Sequence, residues 1–195
     1  MRSLTVIIVL VVLGLVLLMS GCNNYNNFVD MEENVENAWG KVQSAYQRRA
    51  DLIPNLVNTV KGAAAHEKET LEAVVNARAK ATSINIDPAN ATPEQLQAFQ
   101  EAQSGLSQSL GKLLLITENY PDLKANSNFQ ELQVQLEGTE NRIKVERDRY
   151  NDVVTAYNKK VRRFPASFFA SIFGFNEKSQ FQAQQGAEDA PQVEF

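Results

Sequence analysis

Apolar residues recur at intervals of three and four along most of this chain, and this spacing constrains the fold more than any other feature. Such residues share one face of an α-helix, where they form a stripe that must be buried. The first stripe is broken only by Arg49, and its members are Phe28, Met31, Val35, Ala38, Val42, Ala45, Leu52 and Leu56. A second, shorter stripe contains Leu71, Val74 and Val75 and fades near Ala81. The pattern predicts two helices.

Two longer stripes follow, each with a start signal. Thr92 is placed as an N-cap, with Pro93 at the first helical position and Gln95 able to close a capping box. Ser127 and Gln130 suggest a second capping box. The third helix is predicted to bury Leu96, Phe99, Leu106, Leu110, Leu113 and Tyr120, with Gln103 and Thr117 as polar interruptions. The fourth is predicted to bury Phe129, Leu132, Leu136, Ile143, Tyr150, Val154, Tyr157 and Val161.

Pro54 lies inside the first stripe. Proline removes a helical hydrogen bond and frees the carbonyl four residues earlier, here Ala50, which then needs a side chain or water as its partner. The periodicity crosses Pro54 without a change of phase, which favours a kinked but continuous helix to about Lys61. The alternative is a new helix capped by Asp51.

Four amphipathic helices joined by short turns predict an all-α fold, an up-and-down antiparallel four-helix bundle that follows an N-terminal membrane anchor. We divide the chain into an anchor segment at 1–22, the bundle at 23–164, a Phe-rich segment at 165–175 and a disordered tail at 176–195. The tail is rich in Gln, Ala and Glu and has no apolar period.

An apolar run from Leu4 to Met19 precedes the bundle and ends in Ser20-Gly21-Cys22. Its length lies between that of a signal-peptide core and that of a spanning helix. Two interpretations therefore stay open: a lipoprotein signal whose Cys22 is lipidated, or an uncleaved single-pass anchor. Because Arg2 precedes the run and acidic residues follow it, both place the body outside the cytoplasm.

The chain resembles the LemA family at Gln47-Arg48-Arg49-Ala50-Asp51-Leu52-Ile53-Pro54-Asn55-Leu56-Val57. Further matching words are Tyr120-Pro121-Asp122-Leu123-Lys124, Thr139-Glu140-Asn141-Arg142-Ile143 and Tyr150-Asn151, so that the resemblance covers roughly residues 25–175. It implies a bacterial membrane protein with an N-terminal membrane segment and a four-helix bundle, whose molecular activity is not established. Cys22 departs from the plain membrane helix usual in the family.

Composition argues against several classes of function. The net charge of −4 is unsuited to a nucleic-acid partner, and one cysteine and one histidine leave few routes to a metal site or to Cys/His catalysis. His66-Glu67 lacks the second histidine of a zinc protease motif. We therefore expect no catalytic residue, metal, cofactor or small-molecule substrate.

Polar residues crowd around Pro54, namely Arg48, Arg49, Asp51 and Asn55. They are interpreted either as a structural cluster that fixes the kink or as a recognition notch for a partner. Glu146 and Arg147 fall on the seam of the fourth helix and predict a buried ionic layer.

A basic and Phe-rich stretch ends the bundle. Its cations are Lys159, Lys160, Arg162 and Arg163, and its rings include Phe168, Phe169 and Phe173. In an up-and-down bundle this stretch returns to the end where the anchor lies. One hypothesis is a second, interfacial contact with membrane lipid, and the other is that the rings cap the open end of the core.

These features favour a membrane-tethered scaffold or adaptor that presents its bundle to another protein of the bacterial cell envelope. The alternatives are a lipid-interacting protein without catalytic activity and an accessory subunit of an envelope enzyme.

Overall fold

A computed structural model describes residues 2–64 and 66–182 of the chain. Its helices are α1 (Arg2–Ala63), α2 (Lys68–Ser83), α3 (Pro93–Thr117), α4 (Pro121–Lys124), α5 (Ser127–Arg162) and α6 (Ala166–Phe173). No strand occurs within those ranges, so the predicted all-α class is confirmed. The predicted helical stripes correspond to α1, α2, α3 and α5, whereas α4 and α6 are short additions.

Helix α1 is continuous from Arg2 through Pro54 to Ala63. The carbonyl of Ala50, which Pro54 deprives of its helical partner, accepts a hydrogen bond of 2.8 Å from Nε of Arg78 on α2. The helix also passes through Cys22 without interruption, so the boundary drawn at residue 22 is not a break in secondary structure. At 1.5 Å per residue, α1 is a rod roughly 90 Å long.

The N-terminal part of α1 has no protein around it. The large apolar side chains described between Leu4 and Leu15 are each more than half exposed. Among the described residues, α1 is the one helix long and apolar enough to cross a membrane, and a signal sequence would pass the same criterion. Both interpretations of the anchor therefore stay open.

The remainder of α1 belongs to the body, in which the longer helices form two antiparallel pairs, α1 with α5 and α2 with α3. Trp39 contacts Tyr150 and Arg49 contacts Glu140, so residue numbers rise on α1 as they fall on α5, and the two helices are antiparallel. Helices α2 and α3 form an antiparallel hairpin, in which Glu67 lies beside Tyr120 and Ala81 beside Gln103.

Two hydrophobic cores fill the space between these helices. The core nearer the apolar run, here the proximal core, is rich in aromatic rings and includes Phe28, Trp39, Tyr46, Phe99, Tyr150, Tyr157 and Phe181. The core at the far end, the distal core, is mainly aliphatic and includes Leu52, Ile53, Leu56, Val60, Leu71, Val74, Leu106, Leu110 and Leu113.

The predicted N-terminal cap of α3 is confirmed, and that of α5 is corrected. Thr92 caps α3, and Gln95 closes the capping box, as predicted. The N-cap of α5 is Asn126 rather than Ser127, because the Asn126 side chain accepts from the backbone N–H groups of Asn128 and Phe129. Gln130 instead donates to the carbonyl of Lys124, 2.9 Å away.

Residues 176–182, here called the strap, correct the prediction of a disordered tail from residue 176. Lys178 and Phe181 are buried, although no apolar period marks the segment. Asn158 and Asn151 on α5 hold the backbone N–H groups of Lys178 and Phe181 at 2.8 and 2.9 Å. The rest of the predicted tail, 183–195, lies outside the described residues.

Candidate functional site

Arg49 lies at the boundary between the proximal and distal cores and is only 1% exposed. Its guanidinium donates to Oε1 of Glu140, to Oγ of Ser107 at 2.8 Å and to Oε1 of Gln103 at 2.6 Å. It also lies 5.3 Å from the ring centre of Tyr46. Gln103 passes the network on to α2, since its Nε2 donates to the carbonyl of Ala81 at 3.1 Å. One buried cation thus connects α1, α3 and α5 directly and α2 through Gln103.

The polar cluster predicted around Pro54 does not converge into a notch. Arg48, Asp51 and Asn55 are exposed on α1, whereas Arg49 points into the protein. Gln47 donates to Asp51 at 2.7 Å along the same helix. The interpretation of Arg49 as a partner-facing residue is therefore wrong, because its side chain is committed to internal partners.

Two features of the sequence signal this network. Arg49 interrupts the first apolar stripe in phase, at a position where its neighbours are buried. Gln103 likewise occupies a heptad position of α3. Polar residues in stripe positions are the ones that must find partners inside a bundle.

Glu146 is buried on α5, as its seam position predicted. Its Oε1 accepts from Nε of Arg142 at 2.8 Å and from Nη1 of Arg149 at 3.1 Å, both on the same helix. Arg147 does not join this ion pair and lies instead over the ring of Phe181, 4.7 Å from its centre. Glu146 lines a groove of about 470 Å³ between α1 and α5, together with Asn34, Asn37, Lys41, Arg149 and Asp152.

His66 and Glu67 lie in the turn before α2. His66 is exposed, and Oε1 of Glu67 accepts from the hydroxyl of Tyr120 at 2.8 Å. Glu67 raises the pKa of Tyr120 through this bond. Within the described residues, no group of three or more potential metal ligands occurs.

The strap is held by an ion pair whose lysine is buried. Nζ of Lys178 donates to Oε1 of Glu32 at 2.6 Å and to the carbonyl of Ala89 at 3.2 Å. It also lies 5.2 Å from the ring centre of Tyr157. Burial raises the pKa values of Tyr150 and Tyr157 to about 12, so both phenols stay neutral at physiological pH.

The basic and Phe-rich stretch forms the end of α5, a turn and α6. Lys159, Arg162 and Arg163 are exposed, and Lys160 is half-buried. Phe169 and Phe173 turn toward α1, whereas Phe168 is 60% exposed. Gly174 ends α6 with a φ of 80°, a conformation that glycine adopts without strain. The chain then turns, and Phe175 stacks on Phe28 with ring centres 4.9 Å apart.

These rings pack against one side of the segment of α1 that joins the apolar run to the proximal core. That segment is Asn23-Asn24-Tyr25-Asn26-Asn27, and asparagine is a weak helix former. Tyr25 packs edge-on against Phe173 and Phe175, with ring centres 5.2 and 5.7 Å apart. The clamp by α6 therefore offsets a local preference against helix.

Comparison with known proteins gives a consistent set of relatives. The model of the LemA family matches residues 38–195. Magnetosome protein MamQ 2 of Paramagnetospirillum magneticum is 28% identical over 86% of this chain and 67% of its own length. Magnetosome protein MamQ of Magnetospirillum gryphiswaldense is 26% identical over the same shares of both chains. Protein LemA of Metamycoplasma hominis is 24% identical over 82% of this chain and 69% of its own length.

Proposed function

Because this chain belongs to the LemA family, we propose that it is a membrane-anchored helical scaffold or adaptor of the bacterial cell envelope. In this proposal α1, α2, α3 and α5 form an up-and-down antiparallel four-helix bundle, which is presented to another envelope protein. The proposal is carried by the continuity of α1, in which the apolar run and the helix that both cores pack against are one element.

The proposed anchor is the apolar run itself. Exposed aliphatic side chains along three turns of helix are costly in water and stable in lipid. The run is either retained as a spanning helix or removed when Cys22, which is exposed, is lipidated. Arg2 before the run and Asp30, Glu32 and Glu33 after it favour a body outside the cytoplasm.

A scaffold benefits from a rigid connection to its anchor. The Asn-rich segment between the run and the core is helical and is clamped by Phe173 and Phe175. No flexible linker separates the two parts of α1 in residues 2–63. If the run is retained as a spanning helix, it therefore fixes the orientation of the body relative to the bilayer.

The internal use of the charged groups supports a non-catalytic role. Among the described residues of the body, the buried charged ones are Arg49, Glu146 and Lys178, and each is engaged with another side chain of the same body. Arg49 connects α1 to α3 and α5, and such a buried layer can fix the register of helices. Glu146 pairs along α5 and Lys178 connects the strap to α1, and we propose a structural purpose for all three.

The test is crosslinking of the full chain, carrying a C-terminal tag, in intact cells before the envelope is solubilised in mild detergent. A scaffold should recover a stoichiometric envelope protein. A comparison variant replaces Asn23, Asn24, Asn26 and Asn27 by glycine, which should leave the chain in the membrane and loosen the orientation of its body. This variant should crosslink less of the same partner than the unaltered chain does.

Recovery of lipid or glycan alone would contradict the scaffold role and favour the lipid-interacting or enzyme-accessory alternatives. The mass of the mature N-terminus distinguishes the two anchors, because a lipidated chain begins at Cys22.

A further inference from the structure

Three large apolar side chains project from one side of α6 and the turn before it. Phe164 is 87% exposed, and Phe168 and Ile172 are each 60% exposed. Phe168 and Ile172 are four residues apart on α6 and follow one another along one face, and Phe164 lies in the turn before the helix. The described residues place no protein over this face, although exposed phenylalanine rings are unfavourable in water.

The opposite face of α6 fixes how the helix is oriented. Ala166 and Ala170 are buried in the proximal core, and Phe169 lies against Gly21, where an added Cβ would be 3.4 Å from its Cε1. Phe173 lies against Tyr25. The exposed face is therefore the consequence of a packed face and not of a loose helix.

The same contacts give the level of α6 along α1. Phe169 pairs with Gly21 and Phe173 with Tyr25, so the two helices run parallel and in step. Phe168 therefore lies level with the residue before Gly21, and Phe164 lies in the turn that precedes α6 at its N-terminal end, toward the apolar run. The turn between α5 and α6 thus lies beside the last turns of the run that ends at Met19.

Positive charge surrounds this turn. Lys159, Lys160, Arg162 and Arg163 lie within five residues of Phe164. Arg162 has one acidic partner, Glu177, at 3.8 Å, and its side chain is 72% exposed. Cations next to exposed aromatic rings are the combination that binds anionic headgroups while rings enter the acyl boundary.

From this geometry we infer that the tip of the molecule, residues 159–168, is a second membrane contact that inserts Phe164 and Phe168 into an anionic lipid surface. The inference rests on the proposed membrane anchor and names lipid as the partner of this surface. It holds for either anchor, because a chain that begins at a lipidated Cys22 still has a tip that extends toward the bilayer beyond residue 22.

The experiment uses the full chain in vesicles of phosphatidylcholine and phosphatidylglycerol that contain lipids brominated near the headgroup end of the acyl chain. Phe164→Trp and Phe168→Trp place reporters at the tip, and Val134→Trp is the matched control on exposed α5 surface in the distal half. Trp39 is buried and contributes the same background to every variant.

Fluorescence of the two tip reporters should fall about twofold relative to unbrominated vesicles, since interfacial segments enter roughly 5 to 10 Å into the bilayer. The Val134→Trp reporter should be unaffected. Adding Arg162→Glu and Arg163→Glu to Phe164→Trp should weaken the quenching by removing attraction to phosphatidylglycerol.

Tip reporters quenched no more than the Val134→Trp control, in a chain that floats with vesicles, would overturn this inference alone. Protection of the tip by a second copy would appear as unquenched reporters together with a crosslinked dimer, and would also overturn it. If the chain does not float with vesicles, both the proposed anchor and this inference are contradicted.

Discussion

The proximal and distal halves of the body differ in the residue types of their cores. The distal core consists mainly of leucine, isoleucine and valine, with Phe129 as its buried aromatic ring. The proximal core uses aromatic rings in contact with one another, and it is closed by the strap, whose Phe181 stacks on Trp39 with ring centres 5.7 Å apart. Volume-conserving exchanges among aliphatic side chains are tolerated in a core, whereas contacts between aromatic rings have preferred geometries.

The interactions that require one geometry are concentrated in the proximal half. The half next to the apolar run also contains the Lys178–Glu32 ion pair and the clamp on the Asn-rich segment. Arg49 separates it from the distal half. The proximal half must keep one geometry if the body is to be held at a fixed orientation, and the distal half needs only to stay folded.

The largest effect is expected from Trp39→Ala. This change removes ring contacts with Phe99, Tyr150 and Phe181 and should lower the free energy of unfolding by about 4 kcal/mol. Urea denaturation of the full chain in mild detergent, followed by circular dichroism, measures it.

The distal counterpart is Leu113→Met, at a buried position without a polar atom. It should cost less than about 1.5 kcal/mol, because a conserved volume is enough there. A loss of about 3 kcal/mol or more from this volume-conserving change would contradict an adaptable distal core.

Arg49→Leu removes the connection at the boundary. Gln103 and Ser107 lose their donor, while half-exposed Glu140 recovers water, so the expected loss is about 3 kcal/mol. The adjacent exposed Arg48 provides the control, and Arg48→Leu should change stability by no more than about 0.5 kcal/mol. Similar values for the two arginines in the same denaturation assay would argue against a buried network.

Lys178→Met tests the strap. Loss of the hydrogen bonds to Glu32 and Ala89 should cost about 2 kcal/mol, because Lys178 is buried, while the 32% exposed Glu32 side chain recovers water. Glu32→Gln in a double-mutant cycle isolates the ion pair, and the coupling should be positive and concentrated in this pair. Additive single effects would mean that the strap is held by Phe181 and its asparagine contacts alone.

Removing the hydroxyl groups of the two buried tyrosines, Tyr150 and Tyr157, should have the smallest effects on stability, and the two effects should differ. Tyr150 donates to the carbonyl of Ser179 at 3.1 Å, so Tyr150→Phe should cost about 1 kcal/mol. The Tyr157 hydroxyl is buried without a hydrogen-bond partner in the described residues, so Tyr157→Phe should be neutral or stabilising. If Tyr157→Phe lowers the free energy of unfolding more than Tyr150→Phe does in urea denaturation, the hydrogen-bond assignments of the two hydroxyls are wrong.

The helices of the body were predictable because each carries its own signal. Stripe spacing located α1, α2, α3 and α5, and Thr92 with Gln95 marked the start of α3. The periodicity across Pro54 indicated a continuous α1, because a true break would have shifted the phase. These are local properties, and they require no knowledge of neighbouring helices.

The strap was not predictable in the same way. Its burial depends on two residues, Lys178 and Phe181, and on backbone bonds from Asn151 and Asn158 that lie far away in sequence. The inward turn of Arg49 had a signal in its stripe position. Its partners Ser107 and Glu140 had none, because they lie on half-buried and exposed parts of their helices.

The central claim is that α1 is one rigid helix from the apolar run into the body, and amide hydrogen exchange of the full chain in lipid nanodiscs tests it most directly. Four asparagines disfavour helix by about 2 kcal/mol in total, so residues 22–28 would exchange quickly if nothing held them. We expect slow exchange across this segment, and faster exchange when Phe173→Ala loosens the clamp on Tyr25. Exchange at the rate of an unstructured chain in the unaltered protein would contradict the account.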